Sequence, residues 1–329
     1  MILFFGTLLL LTIPAIGATV GLASNAPRST TGPVPPTTHS VCKAAAGTNP
    51  LFDAYDPVNH EVYVPNLNSA SLTILNGTCK LVAKVTLPTG AYPAAAGFDP
   101  ENNHVYVTDA ALSQVYVFSG TRLVNTITSS TFNSPWGVAF DPAISNMAVA
   151  NYGSDTVTFI FGTSVSFTTT VGSGPYLFAY DLTFGRLLVT NFASANVTSM
   201  SGLFPFLQTD NINIPVGTQP AGIAFDLAND YDYVANYGSN NVTIIDSTGG
   251  HYGSVTVGSH PFGVVWDQAK LSVYVANSGS NTVSVISGSS VARTIYGPSG
   301  SGLHGIAYDE ATDQVFVSGY TNKEVYVYN

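Results

Sequence analysis

Six side chains in this 329-residue chain combine a planar ring with a repeated place in the sequence: Trp136, Tyr176, Phe262, His304, Tyr152 and Tyr237. The first four follow a junction residue (Pro135, Pro175, Pro261 or Leu303), whereas the places after Pro50, Pro93 and Pro220 hold Leu51, Ala94 and Ala221. Tyr152 and Tyr237 follow Asn151 and Asn236, with Phe192 and Tyr320 at matching positions. Rings that carry an N–H or O–H suit stacking on a sugar or an extended peptide, the polar tip fixing orientation. These six are therefore the expected ligand-binding residues.

Groups for catalysis are scarcer. The histidines are His39, His60, His104, His251, His260 and His304, and no two stand at the His-x-x-x-His spacing that seats a metal. Glutamate occurs only at Glu61, Glu101, Glu310 and Glu324, and there is no G-x-S-x-G elbow, phosphate loop or C-x-x-C-H haem motif. No catalytic residue, metal or cofactor is expected from these patterns. Two cysteines, Cys42 and Cys79, form an even count that favours a disulfide in an exported chain. Asn76, Asn196 and Asn241 each open an Asn-x-Thr sequon, although Val-Thr at the latter two also belongs to a repeat.

The elements that must position these residues repeat along the chain. Tyr233–Asp246 reads YVANYGSNNVTIID, and close copies begin at Tyr274, Ala148 and Leu188, with weaker ones at Tyr63, Tyr106 and Phe316. Ahead of each copy stands an aspartate: Asp56, Asp99, Asp141, Asp181, Asp226, Asp267 and Asp309, spaced 40 to 45 residues apart. That period suits four-stranded propeller blades rather than helical solenoids, and short alternating apolar runs such as Val115–Val117 favour strands. One unit reads as strand A (AGIAF), an Asp turn, strand B (YVAN), a Ser/Asn loop, strand C (VTIID) and strand D (YGSVTV). The repeated asparagines and aspartates are expected to be turn scaffold, because such side chains bond nearby backbone. Residues that differ between blades are the ones expected to act.

The two ends explain each other. The last copy finishes at Asn329 without a strand D, while Ser40–Pro50 looks like a strand D and its junction with nothing before it. An all-β, seven-bladed propeller of four-stranded antiparallel blades is expected over 40–329, the N-terminal strand completing the C-terminal blade and removing two open edges.

Ahead of it, residues 1–23 read as a signal peptide or N-terminal anchor, and residues 24–39 as a linker rich in Pro, Ser and Thr. The chain is therefore expected outside the cell or on its surface, touching a membrane only if the N-terminal segment is retained. Nine basic against nineteen acidic residues give a net charge of −10, and without a basic cluster nucleic acid is not an expected partner. Only 9% of residues are charged, which suits an acidic exterior where carboxylate-dependent pairs fail as they protonate.

The YV-[TA]-N strand, its Ser/Asn turn and the following V-x-[VI]-[ID] resemble the YVTN-type β-propeller family, from Ser40 to Asn329. Asp109 and Gly319 stand where the pattern has Asn. The resemblance implies an exported or cell-surface protein of adhesion type. The expectation is thus an interaction module that binds a cell-surface glycan or protein through its D–A and B–C loops, with self-association possible. The alternatives are a structural subunit of a surface assembly and a metal-dependent lyase- or lactonase-like propeller, for which His304 and His260 are the nearest candidates.

Overall fold

In a computed structural model, residues 40–201 and 211–329 are described; the expected signal or anchor (1–23) and the linker (24–39) lie outside them. The described chain forms seven separate four-stranded antiparallel sheets. Blade five is representative: strand A is Pro220–Asp226, B is Tyr231–Asn236, C is Asn241–Ile245 and D is His251–Thr256. Strand Cys42–Ala45 pairs with Glu324–Tyr328, Cys42 opposite Val327 and Ala45 opposite Glu324, so the last blade is completed by the N-terminal strand. The ring closes as expected.

Each repeated residue type has a physical task. The Asp that ends each strand A accepts the amide two residues on, from Val58 through Ala311, at 2.8–3.0 Å. This caps the A–B turn in all seven blades. The Asn at the end of strand B acts differently from the expected turn former. Its backbone stays extended at Asn66 (φ −113°), and the left-handed residue lies four places on, as at Ala70, Asp155, Asn240 and Asn281. Its fully buried amide instead reaches across to strand C, where Asn66, Asn151, Asn236 and Asn277 donate to Thr73, Thr158, Thr243 and Ser284 at 2.9–3.0 Å. The Asn is an internal staple.

Blades pack through their inner strands, and there glycine is required. A Cβ on Gly137, Gly222, Gly263 or Gly305 would be driven into the carbonyl of Tyr176, Phe262, His304 or Leu51 on the next blade. Close approach at these four joints fixes where the preceding residue, and its neighbour across the joint, must stand.

Candidate functional site

At the mouth of the ring every strand A leaves its ladder. Pro135 pairs with Asn151, but the next pair is Val138 with Val149, so Trp136 and Gly137 bulge out of register. The same shift follows Pro175, Pro261 and Leu303 and carries Tyr176, Phe262 and His304. Such bulges re-aim side chains at the ends of sheets. The B–C aromatics are fixed from the other side: the amides of Tyr152, Phe192, Tyr237 and Tyr320 donate to the carbonyls of Ser134, Gly174, Gln219 and Gly302 at 2.8–3.1 Å.

All six residues expected from the sequence meet in one place. Trp136, Tyr152, Tyr176, Tyr237, Phe262 and His304, joined by Phe192, line a cavity of about 360 Å³. Tyr176 is its hub. It stacks on Trp136 at 5.2 Å and lies 5.4–6.2 Å from the rings of Phe192, Phe52, Phe262 and Tyr152. His304 continues the arc, 4.5 Å from Phe262 and stacked on Tyr320 at 4.5 Å. His260 stays on the exposed rim, stacked on Tyr237, and does not line the cavity.

Two features of the site were not anticipated from the sequence. Phe52, of blade one, stacks on Phe262 of blade six at 5.3 Å and meets Tyr176 of blade four edge-on at 5.5 Å. Rings from blades so far apart can touch only near the axis, so Phe52 fills the axis and buttresses Tyr176 and Phe262, two residues of the cavity wall. The signal was present: Phe52 occupies the place held by Gly137, Gly222, Gly263 and Gly305 elsewhere. The second is Asp53. Its two oxygens accept the Ser318 hydroxyl at 2.6 and 2.7 Å, and burial pushes its carboxyl well above the usual range. Ala96, Val138, Phe178, Ile223, Val264 and Ile306 fill the same place in the other blades.

The electrostatics of the cavity are those of a neutral cup. No acid, lysine or arginine lines it. His304 Nδ1 lies 2.8 Å from the Gly302 carbonyl, which can only accept, so Nδ1 carries the proton and Nε2 keeps its lone pair. Loss of solvation pushes the His304 pKa below its ordinary value, against the smaller opposing effect of that carbonyl. The imidazole is therefore neutral and oriented at neutral pH.

The other expected sites are placed less uniformly. The Cys42 and Cys79 thiols are free and share one cluster at the joint between blades seven and one. Burial and the adjacent Cys42 thiol both raise the Cys79 pKa. Asn196 and Asn241 are half-buried and accept hydrogen bonds from Ser194 and Ser239, and their sequon threonines, Thr198 and Thr243, are buried. Asn76 lies in an exposed C–D turn, its carbonyl oxygen accepting from Thr78 at 2.9–3.0 Å. Among the described residues no group of three or more His, Cys, Asp or Glu could hold a metal ion, so the donor set does not fit the metal-dependent form of the enzyme alternative. No described helix is long and apolar enough to cross a membrane.

No family model matches the chain, and no curated protein sequence matches it. Among solved structures it is similar to virginiamycin B lyase from Staphylococcus aureus (13% identity, 88% of this chain and 98% of that one, TM-score 0.75). It is also similar to a streptogramin B lyase (11% identity, 86% and 94%, TM-score 0.74). A third match is a catalytically inactive histidine-to-alanine variant of the Staphylococcus aureus enzyme with quinupristin (13% identity, 86% and 96%, TM-score 0.75). At such identities the likeness establishes the seven-bladed fold. The expectation of a glycan- or protein-binding module is corrected, because these three similar propellers are lyases and accord better with the enzyme alternative.

Proposed function

We propose that the cup is the active site of a lyase- or lactonase-type enzyme acting on a small, uncharged cyclic ester, with His304 as the general base. The observation that carries this reading is the His304 tautomer: a neutral imidazole, held at Nδ1 by Gly302, with a free Nε2 lone pair. A base held beside a substrate and poised near neutrality contributes about 10²–10⁴-fold to proton transfer. In an elimination, Nε2 takes the proton from the carbon next to a carbonyl. The C–H pair becomes the new double bond, the ring C–O bond breaks, and its electrons leave on the carboxylate. In a hydrolysis, Nε2 would instead take the proton of the attacking water. The apolar walls favour an uncharged ligand, since a carboxylate entering them would lose hydration without finding a cation.

Two further facts support this reading. The structurally similar propellers include lyases, one of them inactivated by replacing a histidine. The test is turnover of a panel of aryl lactones and cyclic depsipeptides, followed by mass spectrometry. Elimination leaves the mass unchanged, whereas hydrolysis adds one water. His304→Ala is expected to lose at least about a hundredfold in rate with its circular dichroism spectrum unchanged. Chelation should leave the wild-type rate intact. A wild-type protein that turns over nothing in the panel, or a fully active His304→Ala, ends the proposal.

We also infer membership of the YVTN-type propellers, supported by the repeated signature, and export, supported by the apolar run from Ile2 to Ile16.

A further inference from the structure

We propose that the phenols of Tyr176, Tyr152, Tyr237 and Tyr320 form a donor cluster that selects ligands bearing a carbonyl or lactone oxygen on a planar apolar body, with Tyr176 as the specificity-determining residue. The proposal rests on the reading of the cup as a substrate site and names what that site recognises.

Most buried tyrosines of the scaffold find a partner for the hydroxyl. Tyr63 donates to Glu61, Tyr106 to the Gly162 carbonyl, Tyr116 to Asp109, Tyr233 to the Gly288 carbonyl and Tyr326 to Glu324, at 2.7–3.0 Å, while Tyr274 and Tyr328 are the two exceptions. Tyr176 is 7% exposed, yet its hydroxyl makes no hydrogen bond with any described residue, and neither do those of Tyr152, Tyr237 and Tyr320. None of these four hydroxyls is fully enclosed, as the Tyr274 hydroxyl is, so each keeps its O–H free to donate to a molecule that reaches it. Tyr176, Tyr152 and Tyr237 line the cavity and Tyr320 adjoins it through its stacking on His304, so a ligand there can supply the acceptor.

The Tyr176 and Tyr320 phenols also stay protonated, because burial opposes the ionisation of both, and the neighbouring phenols oppose that of Tyr176 further. These two are therefore permanent donors, without a formal charge to be neutralised. Tyr320, stacked on His304, extends the donor set to the proposed base. A carbonyl held by these hydroxyls would sit in the same cup as Nε2, and the phenols would stabilise negative charge developing on its oxygen. Trp136, Phe192 and Phe262 supply flat walls for the remainder of the molecule.

The test uses two probes of nearly equal size and shape. Coumarin is a planar aromatic lactone, and naphthalene lacks the acceptor oxygens. Equilibrium dialysis of the full chain should show coumarin bound about tenfold more tightly than naphthalene. Tyr176→Phe, which removes one oxygen and keeps the ring, should abolish that preference while naphthalene affinity stays the same. Tyr320→Phe, at a more exposed position, provides a second variant should Tyr176→Phe misfold; it should reduce the preference in the same direction. Equal binding of the two probes by the wild type, or an undiminished preference in both variants, would overturn the donor assignment and leave the base reading intact. Binding of neither probe would overturn it together with the cup as a ligand site. The His304→Ala turnover assay stands apart from all of these outcomes.

Discussion

A pair of blades shares one guanidinium between two carboxylates, and the consequence is a stability that rises as the solution turns acidic. Arg186 Nε donates to Asp181 at 2.7 Å across its own turn, while Arg186 Nη2 reaches Asp232 of the next blade at 3.4 Å. Asp232 is 1% exposed, its other oxygen has no partner, and Val62, Val105, Met147, Leu187, Val273 and Val315 fill its place elsewhere. Burial, followed by repulsion from Asp181, pushes its pKa up to about 7 against the attraction of Arg186. Asp141 is likewise pushed by burial to about 6. In an unfolded chain both would titrate near 4.

Between pH 4 and 7 the folded protein therefore holds protons that the unfolded chain has released. Stability from these groups is greatest near pH 4 and declines as pH rises through their folded pKa values. For Asp232, about three pH units at 1.36 kcal/mol each amount to roughly 4 kcal/mol. At the entropy of unfolding of a chain this long, that is a melting-temperature difference of roughly 7 °C. The half-buried Asp246, Asp313 and Glu324 carboxyls, held below their ordinary values by hydrogen bonds, act the other way only at more acidic pH. His304, pushed below its ordinary value by burial, opposes the rise once pH falls below its unfolded value, equally in wild type and variant. The assay is thermal unfolding at pH 4, 5, 6, 7 and 8 for the wild type and Asp232→Asn. The variant mimics the protonated acid, so its curve should be flatter by roughly that amount and should cross above the wild type near neutrality. Parallel curves over pH 4–7 would refute the argument.

Two other perturbations probe the scaffold. Gly305→Ala drives a methyl into the Leu51 carbonyl and should destabilise by about 2–4 kcal/mol, whereas Gly253→Ala, which meets nothing within 4 Å, should be nearly neutral; equal denaturation midpoints would refute the close-approach account. Incubation with glutathione disulfide should convert Cys42 and Cys79 into a cystine, each bridge reducing one glutathione disulfide to two thiols, and should raise stability by about 3–4 kcal/mol; two thiols still titratable after that incubation would exclude the bond.

Ring closure was legible because the chain's two ends are out of phase by one strand, and Cys42–Ala45 does complete the sheet of Glu324–Tyr328. The lining of the cup was legible for a related reason: in a ring of equivalent units, equal register means equal height, so Trp136, Tyr176, Phe262 and His304 had to share a level. Contacts across the axis were not legible. Whether Phe52 reaches Phe262 depends on ring diameter and on which side chains are absent from the centre, neither of which a local pattern encodes. The Asp232 pair escaped for a similar reason, since its cation arrives from another blade. Nor could sequence show how the His304 ring is held. His304 is one letter in a loop until the Gly302 carbonyl is seen to hold one nitrogen and leave the other free.

The site arises where the repeat is broken. Seven identical blades would enclose a pore lined by seven identical residues, which could bind only something equally symmetrical. Phe52 stands in blade one where Gly137, Gly222, Gly263 and Gly305 stand elsewhere, and it fills the axis of that pore against Tyr176 and Phe262. Aromatic rings then occupy the mouth in blades three to seven, whereas blades one and two offer Leu51, Ala94, Leu67 and Ala110. The polar tips, the Tyr176 hub and the neutral His304 all fall on the aromatic side. On the proposed reading a ligand in this cup would have one preferred seat: its acceptor oxygens towards the phenols, its apolar remainder towards the aliphatic gap. A single orientation relative to one base is what a reaction requires, and the sevenfold scaffold supplies the rigidity that keeps it.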